Sequence, residues 1–139
     1  MLIHNNPFNL RCCSSNHWLG EDQPYRGFCT FDTLEHGIRA FLIVIRSYIV
    51  KHKLRRICDI INRFAPPCEN HTLLYIMYVC GDDFHDDTEI DSFEKLCIIA
   101  QRMANYESGT YISLYTIFSV AKHYHIFDHV FKSSQNIKS

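Results

Sequence analysis

The sequence predicts a mainly α fold, α+β in class, with a small β-hairpin at its N-terminus. Three observations predict it. Apolar residues recur at helical spacing through most of the chain after residue 32. Capping residues and Gly or Pro stops punctuate those stretches. The first thirty residues, by contrast, hold asparagines, Pro7 and two short apolar runs that suit strands better than helices.

The elements follow in order. Leu10 to Cys13 and Phe28 to Phe31 are the two strands of the hairpin. Asp32 caps the first helix, with Glu35 three positions on at capping-box spacing. Leu34, Ile38, Phe41, Leu42, Ile45, Tyr48 and Ile49 then mark a buried stripe running to about Lys51. A short helix covers Leu54 to Phe64 and stops before Pro66-Pro67, because the residue ahead of a proline avoids helical angles. Thr72 to Cys80 forms a third helix, with Asn70 near its cap and Gly81 at its end. An acidic loop, 82–89, precedes a helix from Asp91 to Tyr106, and Gly109 closes it in a left-handed conformation. Ser113 caps a last helix from Leu114 to Tyr124. Residues 1–131 form a single domain, and the polar tail 132–139 frays.

Composition bounds the function. The chain has 139 residues, of which 47% are hydrophobic, with ten Phe and eight Tyr, ample for one core. A net charge of −1 gives no global basic field, so nucleic acid is not an expected partner. Locally, Arg46, Lys51, Lys53, Arg55 and Arg56 bracket a helix junction, which suits a solvated face or, in the minority view, an anionic polymer surface. The longest apolar run, Ala40 to Ile45, falls far short of the ~20 residues of a membrane span. No charged leader, apolar stretch and small-residue cleavage site open the chain, so no signal peptide is expected. The seven cysteines lack paired zinc spacing; Cys58, Cys80 and Cys97 occupy apolar helical positions and read as small core residues of a protein made in reducing cytosol.

Metal and cofactor chemistry find little support. Asp82, Asp83, Asp86 and Asp87 could offer oxygen ligands, but the Gly and terminal Glu of a calcium loop fall in the wrong places. His123, His125 and His129 do not share a helical face. The expectation is that no metal and no cofactor is used.

Glu107 is the candidate general acid. It falls in the last turn of its helix, where unpaired carbonyls and the apolar neighbours Met103, Tyr106 and Tyr111 disfavour an ionised carboxylate. A carboxyl kept neutral near pH 7 is what glycoside cleavage asks of its proton donor. Asn6, Asn9, Arg11, Trp18 and Tyr111 are candidate substrate-binding residues, since amides pair with sugar hydroxyls and N-acetyl groups while aromatic faces cover a pyranose. Trp18 could equally anchor its loop on the core. Glu69, in the rigid Pro66-Pro67-Cys68-Glu69-Asn70 loop, is a second catalytic carboxylate or the ion-pair partner of Arg39.

Asn6-Pro7-Phe8-Asn9-Leu10-Arg11, Trp18-x-Gly20, Gly27-Phe28-x-x-Phe31, Gly37-Ile38-Arg39-Ala40, Arg63-Phe64-Ala65-Pro66-Pro67-x-Glu69-Asn70-x-Thr72 and Tyr75-Ile76 together resemble a family of small phage and prophage proteins labelled virion structural proteins. That pattern favours Ile, Trp and Asn where this chain has Leu10, Phe64 and Ser108. The first three motifs are also similar to a segment of bacterial glucosaminidases with a lysozyme-like fold. There the catalytic glutamate lies on a helix upstream, whereas only Met1 to His4 precede the segment here. The resemblance thus implies a circularly permuted lysozyme-like domain, with Glu107-Ser108-Gly109 where transglycosylases of that fold carry Glu-Ser-Gly. It implies a virion-associated, peptidoglycan-cleaving enzyme of the lytic transglycosylase, muramidase or glucosaminidase type. Its partners would be glycan strands and other virion proteins. A non-catalytic virion component retaining that shape is the alternative.

Overall fold

Residues 3–131 are described by a computed structural model. Five helices carry the fold: α1 (Leu34–Val50), α2 (Ile57–Phe64), α3 (Thr72–Cys80), α4 (Phe93–Ser108) and α5 (Leu114–His123). Helix α3 packs between α2 and α4, and α5 between α4 and α1. Most of the predicted stripe of α1 is buried: Ile38, Phe41, Leu42, Ile45 and Ile49 share one apolar core with Ile57, Ile60 and Ile61 of α2, Val79 of α3 and Leu96 and Ile99 of α4, while Leu34 and Tyr48 are half-buried at its edge. Each such side chain stabilises the fold by about 1.5–3 kcal/mol relative to exposure.

Helix ends follow local chemistry, with some corrections. Thr33, not Asp32, caps α1, its hydroxyl accepting from the His36 N–H at 3.2 Å; Asp32 instead meets the His36 ring at 2.6 Å. Helix α2 begins at Ile57, three residues later than predicted, because the Arg55 and Arg56 backbone is taken by an extended pairing with 89–90: Ile90 N–H donates to Arg55 O at 2.8 Å. His71 occupies the cap of α3 without a side-chain bond, and the Asn70 amide donates back to Pro66 O at 3.0 Å. Ser92 and Ser113 cap α4 and α5 through their hydroxyls.

The predicted hairpin does not form regular strands. Its two arms meet through one isolated bridge, Arg11 opposite Phe28, flanked by Cys12 N–H to Gly27 O and Cys29 N–H to Leu10 O, both 2.9 Å, while Phe31 pairs with Glu21 outside the arms. Side-chain amides do the remaining work. Asn6, fully buried, donates to Leu10 O and Cys29 O at 2.9 Å each and accepts from Leu10 N–H at 3.0 Å, tying three stretches of backbone together. A tied loop replaces an extended ladder because Asn is a poor strand former and satisfies the same backbone groups locally.

This N-terminal segment is seated on the helices. The Phe8 ring stacks on Phe41 of α1 with centroids 3.6 Å apart. Gly37 lets the segment approach, since a Cβ there would collide with the Asn5 carbonyl oxygen. Of the predicted core cysteines, Cys80 and Cys97 are buried and Cys58 is half-buried, and all seven thiols are free. The polar tail lies outside the described residues. Among the described residues no helix is long and apolar enough to cross a membrane.

Candidate active site

Helix α4 ends as its sequence dictates: Gly109 adopts a left-handed φ of 74°, and its N–H donates to Asn105 O at 2.8 Å. That closure presents Glu107 and Ser108 to the N-terminal segment. The Ser108 hydroxyl donates to Pro7 O at 2.8 Å. The Asn9 amide nitrogen donates to the Glu107 main-chain carbonyl at 2.8 Å and lies 3.3 Å from its carboxyl Oε1. Asn9 reaches both because its own backbone is left-handed, with a φ of 53° that asparagine tolerates better than most residues.

The Glu107 carboxyl is half-buried. Burial raises its pKa above the ordinary carboxylate value, against the opposing pull of Tyr75, Asn9 and the Arg11 charge. Tyr75, on α3, is 2% exposed, and its ring stacks on Tyr106 at 4.1 Å. Its hydroxyl lies close enough to act on the carboxyl but falls short of hydrogen-bond geometry and has no other protein partner. Asn9 Oδ1 is likewise buried without a partner. A carboxyl with an adjacent amide donor and an adjacent phenol can, when protonated, give up a proton and then be held as its conjugate base.

The other candidates fall in different places. Arg11 is exposed, with its guanidinium 5.2 Å from the Phe28 ring centroid, and shares the neighbourhood of Glu107. Tyr111 is exposed, two residues beyond the Gly109 closure. Asn6 cannot meet a ligand, since its amide is consumed by backbone. Trp18 lines a depression of about 630 Å³ with Asn16, His17 and Glu21, while its ring packs against the core. Glu69 is exposed on its loop and is not among the groups acting on Glu107. Nor does Glu69 pair with Arg39: that guanidinium stacks over Tyr124 at 5.1 Å, and its buried Nε has no partner. The Tyr124 ring face, brought in beside α1 at the end of α5, takes the Arg39 cation in place of a carboxylate from the loop of Glu69.

Two further depressions exist, one of about 1010 Å³ between α4 and α5 bordered by Phe93, Leu114, Tyr115 and Phe118, and one of about 430 Å³ beside Leu73 and Leu74. Glu107 lines none of the three. Among the described residues no cluster of three or more His, Cys, Asp or Glu is arranged to hold a metal ion.

The residue that sequence reasoning passed over is Tyr75. Its signal was present: it is the one phenol on the buried Thr72, Ile76, Val79 face of α3, and a phenol there needs a polar neighbour.

No protein-family model matches the chain. Over 113 residues it is 42% identical to Protein P5 of Pseudoalteromonas phage PM2, an alignment covering 78% of this chain and 71% of that protein. The chain therefore belongs to the phage protein family represented by Protein P5 of Pseudoalteromonas phage PM2.

Proposed function

We propose that this phage protein is a glycosidase acting on peptidoglycan glycan strands, with Glu107 as a single general acid and base of the lytic transglycosylase type. The observation that carries this reading is the half-buried Glu107 carboxyl, raised in pKa and held by Asn9 from the far end of the chain. In the forward step the Glu107 acid gives its proton to the glycosidic oxygen as the C1–O bond breaks. Its conjugate base, with the Asn9 amide and the Tyr75 hydroxyl beside it, then removes the proton from the sugar's own 6-hydroxyl as that oxygen closes on C1. No second carboxylate is required, in keeping with the remoteness of Glu69. The reading also retains the single-domain, permuted lysozyme-like architecture, which the meeting of Pro7 and Asn9 with Glu107 and Ser108 supports.

Zymography on purified peptidoglycan tests it. The folded wild type is expected to clear the wall and Glu107→Gln to leave it intact, with anhydro-muropeptides in the digest. Clearing that persists in Glu107→Gln removes the acid assignment.

A second reading, a non-catalytic virion assembly module, is favoured by one observation. Helix α3 exposes Leu73, Leu74 and Met77 on one face, each more than half accessible, while Glu107 borders none of the three depressions. Folded protein that neither clears nor binds glycan, yet loses virion incorporation in Leu73→Gln/Met77→Gln, selects it.

A further inference from the structure

Where the end of α1 meets the last turn of α2, two cations, Lys51 and Arg63, and the His52 imidazole converge with no acidic partner among the described residues. After α1 the chain turns back on itself, Lys51 and His52 N–H donating to Ser47 O at 2.9 and 3.2 Å and Leu54 N–H to Tyr48 O at 2.9 Å. The turn sets His52 edge-on to the Tyr48 ring, 6.5 Å between centroids. From α2, Arg63 lays its guanidinium over the same ring at 5.3 Å and brings its terminal nitrogen to 3.2 Å from His52 Nε2. Tyr48 is thus a common platform that holds two basic groups in contact, with exposed Lys51 beside them.

The helix dipole explains part of this arrangement, since the end of α1 favours positive charge and accounts for Lys51 and His52. Arg63, in the last turn of α2, is favoured there by the same effect, but no dipole accounts for its terminal nitrogen standing against the His52 ring. The one carboxylate of α2, Asp59, is occupied by Arg56 at 2.9 Å. A guanidinium held against an imidazole is tolerated only while that ring stays neutral and accepts the bond, unless an anion enters and both groups donate to it. Arg presents paired donors that fit a tetrahedral oxyanion, and His joins it once protonated.

We propose that Arg63, His52 and Lys51 form an anion-binding notch for a phosphate group, carried as the free ion or at a lipid headgroup. The notch lies on different elements from Glu107 and does not depend on the glycosidase reading. The neighbours facing His52 are Arg63 and Lys51, both cationic, and the Tyr48 phenol. Without the anion, burial and then these two charges hold the imidazole below its ordinary value. An anion in contact reverses the sign, so phosphate binds more tightly as pH falls through the histidine range.

The test follows the His52 imidazole proton by NMR, assigned with His52→Gln, in the full chain at matched ionic strength in chloride and in inorganic phosphate. The His52 midpoint is expected to rise by about one pH unit in phosphate and to stay put in Arg63→Gln. In a second arm, vesicles of phosphatidylcholine with phosphatidic acid are compared with phosphatidylcholine alone, using sedimentation of wild type, Arg63→Gln and Lys51→Gln. A response to free phosphate lost in Arg63→Gln supports the notch with the free ion as its ligand. Sedimentation with phosphatidic acid alone, lost in both variants, supports it with the headgroup as its ligand. No response in either arm, or one that persists in Arg63→Gln, overturns it. Unchanged thermal unfolding of the variants secures the comparison.

Discussion

Asn9 and Glu107, 98 residues apart in sequence, are joined by one amide group that donates to both the backbone carbonyl and the carboxyl of the glutamate. With the Ser108 to Pro7 bond beside it, this contact fastens the N-terminal segment to the end of α4.

Asn9→Ala removes both donations and leaves a half-buried carbonyl unsatisfied. A loss of about 1–3 kcal/mol is expected, read as a shift in urea midpoint at unchanged slope. On the proposed glycosidase reading, activity against peptidoglycan should fall further than stability explains, because the Glu107 carboxyl loses its fixed orientation. Equal loss of both would reduce Asn9 to a structural tie.

Glu107→Gln should make the protein more stable at neutral and alkaline pH. Burial raises the folded-state pKa above the ordinary value of 4.5, so the folded protein binds this proton more tightly than the unfolded chain. The stability contributed by that binding is fully present below pH 4.5 and is lost as pH rises through the raised folded value. Glutamine keeps the acceptor for Asn9 and never ionises. Thermal unfolding of the two proteins should therefore coincide at acid pH and diverge above it, with the variant ahead; a variant that lags at pH 8 contradicts the buried-acid description.

Tyr75→Phe separates positioning from packing. The lost hydroxyl makes no hydrogen bond within ordinary limits, so stability should change by less than about 1 kcal/mol. The hydroxyl nevertheless lowers the Glu107 pKa, and its removal should move the carboxyl titration upward. Carbon-13 NMR of the glutamate side chain reads this directly, without reliance on turnover. An unmoved titration would place Tyr75 outside the site.

Asn6→Ala tests the correction at the N-terminus. Its amide ties Leu10 and Cys29 backbone inside the core, and a loss of about 2–3 kcal/mol follows from stranding those groups. Any glycan binding that the proposed function entails should be unaltered in the folded fraction. A variant of full stability with weakened binding would restore Asn6 as a ligand contact.

The helices were legible in the sequence because their causes are local. The apolar stripe of α1, Ser113 before α5, the Pro66-Pro67 stop and Gly109 each act within a turn or two of their own position, whereas Ser92, expected inside α4, caps it instead. Glu107 could be assigned to the last turn of its helix for the same reason. The roles of Asn6, Asn9, Trp18 and Glu69 could not be separated in this way. All four are polar or amphipathic residues in loops, and their partners, where they have them, lie up to 98 positions distant. The regular hairpin does not form because an apolar run of four residues does not reveal that an asparagine will satisfy the same backbone groups.

The linear chain by itself settled that these helices form and roughly where they end, which apolar stripe α1 buries and that one carboxyl stands at the close of α4. Only the folded arrangement decided that Asn6 is locked inside, that Asn9 reaches the carboxyl, that Arg39 lies on Tyr124 rather than against Glu69, and that Tyr75 stands beside the acid. Backbone preferences and burial periodicity are short-range and repeat along the sequence. A side-chain hydrogen bond between segments depends on how packed helices bring remote atoms within 3 Å or so, and no local pattern encodes that distance.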